Sequence, residues 1–321
     1  MLFQVLIDGQ EGTTGLKIHE RLRSRPDIHL LEIPPPDRKN PEAKKKLLNQ
    51  ADVVILCLPD PAAREAVGLI HHERTKIIDA STAFRTAAGW TYGLPELNPR
   101  QRDCIRASSR LSNPGCHATG FILALHPLIQ GKVVPPDYPV VSHAVTGYSG
   151  GGKKLIGVYE SNAAADRLQP PRHYALGLNH KHLPEMQKFT GLSHPPLFTP
   201  IVGRFYQGLV VSIPLILSRL AKKVTPREIR DMLDDYYRGE PFIRVMPLAS
   251  DSFLDQGFLS PTECNHTNRV DLFVFGHEEQ ALVMARLDNL GKGASGAAVQ
   301  NLNLMLGLEE GLGLEALPHS P

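Results

Sequence analysis

Long apolar runs are missing from this 321-residue chain. None approaches the roughly 18 residues that cross a bilayer as a helix, which excludes a helical membrane span. An excess of charge of one sign is missing too: 35 Lys and Arg stand against 33 Asp and Glu, a net +2. So small a balance gives no basis for nucleic-acid or membrane-surface binding, and neither partner is expected. Cysteine is scarce and scattered: Cys57, Cys104, Cys116 and Cys264 form no CxxC pair. That argues against a disulfide framework and for a cytoplasmic protein with reduced thiols, in which any special cysteine is metal-binding or catalytic. The opening MLFQVLIDGQEG has neither a charged n-region nor a small-residue cleavage site, so no secretory signal is expected. Internal repeats and low-complexity linkers are absent as well. At about 150 residues per domain, the length suggests two domains.

What is present begins as strands alternating with helices. Phe3 to Ile7, Ile28 to Ile33, Ala51 to Leu58 and Lys76 to Ala80 are apolar runs. Between them Leu16 to Leu22, Pro41 to Gln50 and Pro61 to His72 read as helices, with Pro41 near the first turn. Continuous apolar strands with helical crossovers predict a parallel sheet covered on both faces. After Ser81 the pattern changes. Ala118 to Ile129 reads as a helix with Phe121, Ile122, Leu125, Leu128 and Ile129 on one face. Strands are expected at Pro139 to Val145 and Gly208 to Leu217, and a helix after Thr225-Pro226. Val270 to Phe275 and Ala281 to Leu287 read as an antiparallel hairpin, offering sheet edges that could pair between subunits. The segment from Ala294 to Leu308 is helical in spacing and could return to the first domain, making the second an α+β insertion. Gly311 to Pro321 is expected to fray.

Three segments carry chemistry. Gly9-Gln10-Glu11-Gly12-Thr13-Thr14-Gly15 follows the first strand and opens the first helix. It is GxxGxxG rather than GxGxxG, but it meets the same need: a tight turn that brings backbone and helix N-terminus to a pyrophosphate. Thr13 and Thr14 add hydroxyls. A glycine turn without ligand is the plain alternative. After the second strand, Glu32 would suit a ribose diol, while Arg38 and Lys39 would hold a 2′-phosphate or merely form a solvated cluster. The phosphorylated cofactor is the preferred reading.

Asn113-Pro114-Gly115-Cys116 places a thiol at the start of an apolar helix, where unpaired N–H groups and the dipole favour the thiolate. Against the nucleophile stands a buried inert cysteine. Cys57 lies in an apolar run and reads as inert; Cys104 and Cys264 read as bystanders in polar loops. Among 14 histidines, His180-Lys181-His182-Leu183-Pro184-Glu185 offers the best base. If Tyr174 to Leu178 continues as extended chain, His180 and His182 face one side, one for chemistry and the other for substrate. A metal held by His180, His182 and Glu185 was the competing reading; with no third His or Cys at ligand spacing, none is expected.

With these residues in place, the sequence resembles the N-acetyl-γ-glutamyl-phosphate reductases in their shorter form, relatives of aspartate-semialdehyde dehydrogenase. The likeness runs over nearly the whole chain. It includes the glycine turn, Asp79 to Thr86, Tyr92 to Leu97, Asn113 to Cys116, Ser149 to Lys154, His180 to Glu185 and Lys292 to Gly296. Phe84 stands where that pattern often has a histidine. The resemblance implies an α/β fold: a Rossmann-type domain of residues 1–115 and 293–321 with an inserted α+β catalytic domain of residues 116–292. It implies NADP(H), a small-molecule substrate with inorganic phosphate, a homodimer or homotetramer, and a step of arginine biosynthesis. Cys116 becomes the nucleophile and His180 the acid/base, with Arg85, Ser149, Lys153, His182 and Glu185 on the substrate. The cofactor falls to Gly9, Gly12, Thr13, Thr14, Gly15, Arg38, Lys39, Pro59, Ser81 and Asn289. An aspartyl or carrier-linked acyl group, a non-catalytic dinucleotide-binding regulator and a metal-assisted hydrolase are the alternatives.

Overall fold

The computed structural model describes residues 2–32, 40–161, 166–248 and 253–314. They form two compact units, one of residues up to Pro114 together with Ala294–Leu314, the other of Gly115–Gly293. Among the described residues no helix is long and apolar enough to cross a membrane.

The first unit is built on a six-stranded sheet whose registered pairs are all parallel. Its strands are β1 (Phe3–Asp8), β2 (Ile28–Leu31), β3 (Val53–Leu56), β4 (Lys76–Asp79), β5 (Thr91–Tyr92) and β6 (Arg110–Ser112), in the order β2-β1-β3-β4-β6-β5. Alternation along each strand fills two cores. Val5, Ile7, Val53, Ile55 and Ile78 pack on one face, while Leu6, Val54, Leu56 and Ile77 pack on the other. That two-sided burial is why the strands are apolar without interruption. Helix α1 (Thr13–Leu22) follows β1, α2 (Pro41–Gln50) follows β2, and α3 (Asp60–Leu69) follows β3. Asn40 caps α2 by accepting from Glu42 N and Ala43 N, with Pro41 in the first turn. Helix α4 (Gln101–Ala107) carries Cys104, so that cysteine is helical and not in a loop.

The second unit has a seven-stranded mixed sheet, with its helices on one face. The strands are β7 (Val141–Gly147), β8 (Arg172–His173), β9 (Leu197–Gly203), β10 (Leu209–Ile216), β11 (Ile243–Val245), β12 (Val270–Gly276) and β13 (Gln280–Leu287). Their order is β11-β12-β13-β10-β7-β9-β8. β12 and β13 do form an antiparallel hairpin, from Val270 opposite Leu287 to Gly276 opposite Ala281. They offer no edges, however: β11 flanks β12, and β10 flanks β13. Non-local pairing has used the groups that the sequence left open.

Helix α5 (Cys116–Gln130) is the centre of this unit. Every residue from His117 to Ile129 is buried, so the single apolar stripe expected from the sequence is instead burial all round. Pro127 removes the N–H that would bond the Leu123 carbonyl. The Tyr237 phenol donates to that carbonyl at 2.8 Å and makes good the loss. Helix α6 (Gly152–Glu160) follows β7, and α7 (Leu183–Thr190) precedes β9. Helix α8 (Pro226–Tyr236) starts at a complete capping box between Thr225 and Glu228. Cys264 sits in a turn yet is fully buried, unlike the polar-loop cysteine expected. The segment before α7 is not extended: Ala175 and Leu178 both take positive φ, which folds the chain into turns.

The last helix, α9 (Gly296–Met305), belongs to the first unit, where Ala298, Val299 and Leu302 join the core of β1, β3 and β4. Leu302 is wholly buried. Leu302→Ala is therefore expected to lower the unfolding free energy by about 2–5 kcal/mol in urea titration. A loss below about 0.5 kcal/mol, the range of surface substitutions, would remove α9 from that core.

Candidate active site

In the first unit the glycine turn is shaped by contacts that exclude side chains. Gly9 has φ +86°, and a Cβ there would lie 2.4 Å from the Cys57 carbonyl oxygen at the end of β3. A Cβ on Gly15 would lie 2.5 Å from the Gly9 carbonyl oxygen. Gly12 N donates to Gly9 O at 2.9 Å and closes the turn. Gly12 is also the N-cap of α1 and supplies no side-chain acceptor to the first turn. The Thr13 hydroxyl is buried without a hydrogen-bond partner among the described residues. An uncapped helix start, an orphaned hydroxyl and a backbone cradle fit a diphosphate. Pro59 opens α3 beyond β3, and Ser81 follows β4, its hydroxyl donating to Asp79 at 2.7 Å. The turn thus stands at the carboxyl ends of β1 and β3, where the strand order reverses, the usual dinucleotide crevice. Arg38 and Lys39 lie outside the described residues.

In the second unit Cys116 opens α5. It is part-exposed, as is Cys57, but burial of the sulfur pushes the Cys57 thiol up to about 12 and the Cys264 thiol up to about 11. Glu185, in the first turn of α7, accepts from Gly115 N at 3.1 Å and fixes the loop before the thiol. Gly293 approaches from the other side, where a Cβ would stand 2.6 Å from the Cys116 Cβ. His117 lies in the same helical turn, with Nδ1 3.5 Å from Sγ and Nε2 3.2 Å from the Tyr174 hydroxyl. Burial first, then the charges of His180 and Lys181, hold His117 down at about 3, so it is neutral at physiological pH. Burial and the neighbouring Cys116 charge raise the Tyr174 phenol.

The rings of His180 and His182 pack 4.7 Å apart, and each lies 5.4 Å from His117. His180 Nδ1 accepts from His182 N at 3.1 Å, which leaves Nε2 as the proton-bearing nitrogen of the neutral ring. His180 is half-buried and His182 buried. The pair does come together, but through turns and not through an extended strand. Ligand atoms of Cys116, His117 and His182 all lie within 4.8 Å of one another. The sequence trio of His180, His182 and Glu185 is not that cluster, because two of its three members come from the start of α5.

Other expected residues sit as follows. Ser149 is buried and accepts from Asn289 Nδ2 at 3.0 Å, while Asn289 Oδ1 accepts from Gly208 N at 2.7 Å. Both ends of that amide therefore serve the second unit's own frame. Lys153 is exposed in the first turn of α6. Arg85, in the first unit, is buried and donates to the carbonyls of Asn113 at 3.1 Å and Ala80 at 3.3 Å. His117, Tyr174 and Gly293 are the residues that sequence reasoning missed. The only signal for His117 was its place directly after Cys116.

His117 has a measurable consequence. Its pKa lies below the ordinary 6.5, so the unfolded chain takes up the proton first as pH falls. The stability it contributes is complete above about pH 6.5 and declines toward pH 3, by at most about 1.4 kcal/mol per pH unit. His117→Asn should flatten the pH dependence of urea unfolding in that window relative to the parent protein. Parallel curves for the two would mean that His117 is not held neutral.

A family model described as the NAD binding domain of semialdehyde dehydrogenase matches residues 4–103, and one described as its dimerisation domain matches 116–289. N-acetyl-gamma-glutamyl-phosphate reductase 2 of Nostoc sp. is 51% identical over 97% of this chain and 99% of its own length. The protein of that name from Pseudomonas putida is 47% identical over 94% of this chain and 96% of its own. Among solved structures, a probable aspartate-semialdehyde dehydrogenase from Pseudomonas aeruginosa superposes with TM-score 0.70 at 15% identity, covering 95% of this chain and 99% of that one. Aspartate semialdehyde dehydrogenase with NADP from Candida albicans gives 0.65 at 13% identity, covering 95% and 99%. The glycine turn and the thiol-bearing helix thus sit in the two domains of one known architecture, and the chain belongs to the semialdehyde dehydrogenase family, in its N-acetyl-γ-glutamyl-phosphate reductase branch.

Proposed function

We propose that this protein catalyses the NADPH-dependent reductive dephosphorylation of N-acetyl-γ-glutamyl phosphate to N-acetylglutamate 5-semialdehyde and inorganic phosphate, a step of arginine biosynthesis. The observation that carries the reading is the part-exposed Cys116 at the start of α5, beside neutral His117 and with His182 in reach. The names of relatives at 47–51% identity support the acyl group.

The chemistry follows from these side chains. The Cys116 thiolate, favoured by the helix N-terminus, attacks the acyl carbon; the C–O bond to phosphate breaks, and a thioester remains on sulfur. Arg85 is our choice for the phosphate, since a guanidinium fork matches its oxygens. NADP(H) is the cofactor; Gly9, Gly12, Thr13, Thr14, Gly15, Pro59 and Ser81 would hold it, and when bound it would supply the hydride for reduction of the thioester. His180, as imidazolium, donates a proton from Nε2 to the oxygen on which charge develops, and its half-exposed ring suits that contact with substrate. His182 and Tyr174 keep the histidine cluster in place. Collapse of the thiohemiacetal then breaks the C–S bond, returns the hydroxyl proton to His180, frees the aldehyde and restores the Cys116 thiolate. Ser149 and Lys153 are assigned to the rest of the substrate. The compartment is the cytoplasm, where a catalytic thiol stays reduced.

The test runs the reaction backwards, with NADP⁺, N-acetylglutamate semialdehyde and phosphate, following the absorbance of the reduced cofactor. A phosphate-dependent signal is expected, abolished by iodoacetamide and by Cys116→Ser. His180→Asn should lower kcat by about 10²–10⁴. A signal that survives alkylation would end the covalent mechanism, and a near-neutral His180→Asn beside a crippled His182→Asn would exchange the two histidines.

We further assign the homo-oligomer contact to the helix-free face of the second unit's sheet. Val145, Leu197, Pro214 and Ile216 are exposed there, with Phe275, Leu282 and Met284 partly covered. The strand registers put these side chains on one surface, and the match to a dimerisation domain over 116–289 supports a second copy as its cover. Val145→Asp with Ile216→Asp should move the protein to monomer in sedimentation. An unchanged oligomer would place the contact elsewhere.

A further inference from the structure

We propose that Cys116, His117 and His182 form a capture site for a borderline-soft divalent cation such as Zn²⁺, which ties up the sulfur and switches the enzyme off reversibly. The geometry supports this without reference to turnover. With a Zn–S bond of about 2.3 Å and Zn–N bonds of about 2.0–2.1 Å, neighbouring ligand atoms of a tetrahedral ion stand roughly 3.5 Å apart. Cys116 Sγ and His117 Nδ1 already stand at 3.5 Å. His182 contributes from the N-cap position of α7, and all three ligand atoms lie within 4.8 Å of one another.

Two features beyond the three ligands favour a cation. The Tyr174 hydroxyl lies 3.2 Å from His117 Nε2. A partner on the far ring nitrogen turns the Nδ1 lone pair toward the sulfur, as outer partners orient metal-bound histidines elsewhere. The Glu185 carboxylate is buried and bonded to Gly115 N, so it adds negative charge behind the sulfur without being a ligand. Two imidazoles and a thiolate are the donor set that zinc prefers over magnesium or calcium. On capture the thiol proton leaves to solvent, a metal–sulfur bond forms, and nothing is oxidised or reduced. The fourth position remains for water.

Occupancy and acylation both require the same sulfur lone pair, so they exclude each other. This blocking rests on the reading of Cys116 as nucleophile; the binding itself does not. Chelator-stripped protein titrated with Co²⁺ should bind one equivalent, with a thiolate-to-cobalt band in the near ultraviolet and the visible bands of a tetrahedral ion. Zn²⁺ should displace it. Cys116→Ser should lose the near-ultraviolet band, and His117→Asn or His182→Asn should weaken binding by at least about tenfold. Circular dichroism of each variant identifies any that has lost its fold, and the band of the parent protein tests the site regardless. One equivalent of Zn²⁺ should stop turnover and block alkylation of Cys116, with a chelator restoring both. No band in the parent protein, or the same band in Cys116→Ser, overturns the site. A band with full turnover would uphold the site and overturn Cys116 as nucleophile.

Discussion

The hydrogen bond from Gly115 N to the buried Glu185 carboxylate ties the start of the thiol-bearing helix α5 to the first turn of α7. Gly115 is the N-cap of α5, so fixing its N–H fixes where the helix begins and hence where Cys116 points. The bond acts against the thiolate in one respect, because a carboxylate near sulfur disfavours negative charge there. The helix N-terminus acts for it, through the dipole of the first turn. The site is thus a compromise in which geometric definition comes with some loss of electrostatic advantage. Gly293 completes the constraint, since any larger residue would displace the Cys116 Cβ.

That constraint explains why one cysteine of four is suited to chemistry. Cys57 lies just beyond β3, part-buried against the sheet core, and Cys264 in a buried turn, and both thiols are held well above their ordinary range. Cys104 is exposed on α4, inside a helix and not at its start. Only Cys116 combines partial exposure with a helix N-terminus and adjacent imidazoles. Because His117 is neutral, it neither repels a cation at His180 nor pairs electrostatically with the thiolate; it presents a dipole and a lone pair.

Much of this was legible in local sequence, and the exceptions have physical causes. Pro41 to Gln50 was readable to the residue because Asn40 and Pro41 are both start signals acting within one turn. The glycine turn and the cysteine-led helix were equally local. The return of α9 to the first unit was foreseen, but several other features decided by distant partners were not. A one-faced stripe on α5 could not reveal that other elements cover its remaining sides. The edges foreseen at β12 and β13 are closed by β11 and β10, which lie far off in sequence. The turns at Ala175 and Leu178 place non-glycine residues in a left-handed conformation, which their residue types do not announce. His117 was overlooked because adjacency in sequence does not show that its ring turns back to the sulfur.

Arg85, proposed for the phosphate, is also a frame residue. Asn113, three positions before Cys116, has its polar groups engaged within the first unit. Its N donates to Asp79 O at 2.7 Å, its carbonyl accepts from Arg85 Nε, its Nδ2 donates to Ala294 O at 3.0 Å, and its Oδ1 accepts from Asn301 at 3.1 Å. The two points where the chain leaves and re-enters the first unit are therefore tied through one side chain. Only Pro114 separates this fixed residue from Gly115, which Glu185 fixes in turn. A lost Arg85 would remove a donor from the Asn113 carbonyl and, on the proposed role, a cation from the phosphate, so a fall in activity alone would not separate the two. Lysine at that position keeps the charge but not the planar fork, so substitution by lysine and by methionine divides positioning from electrostatics.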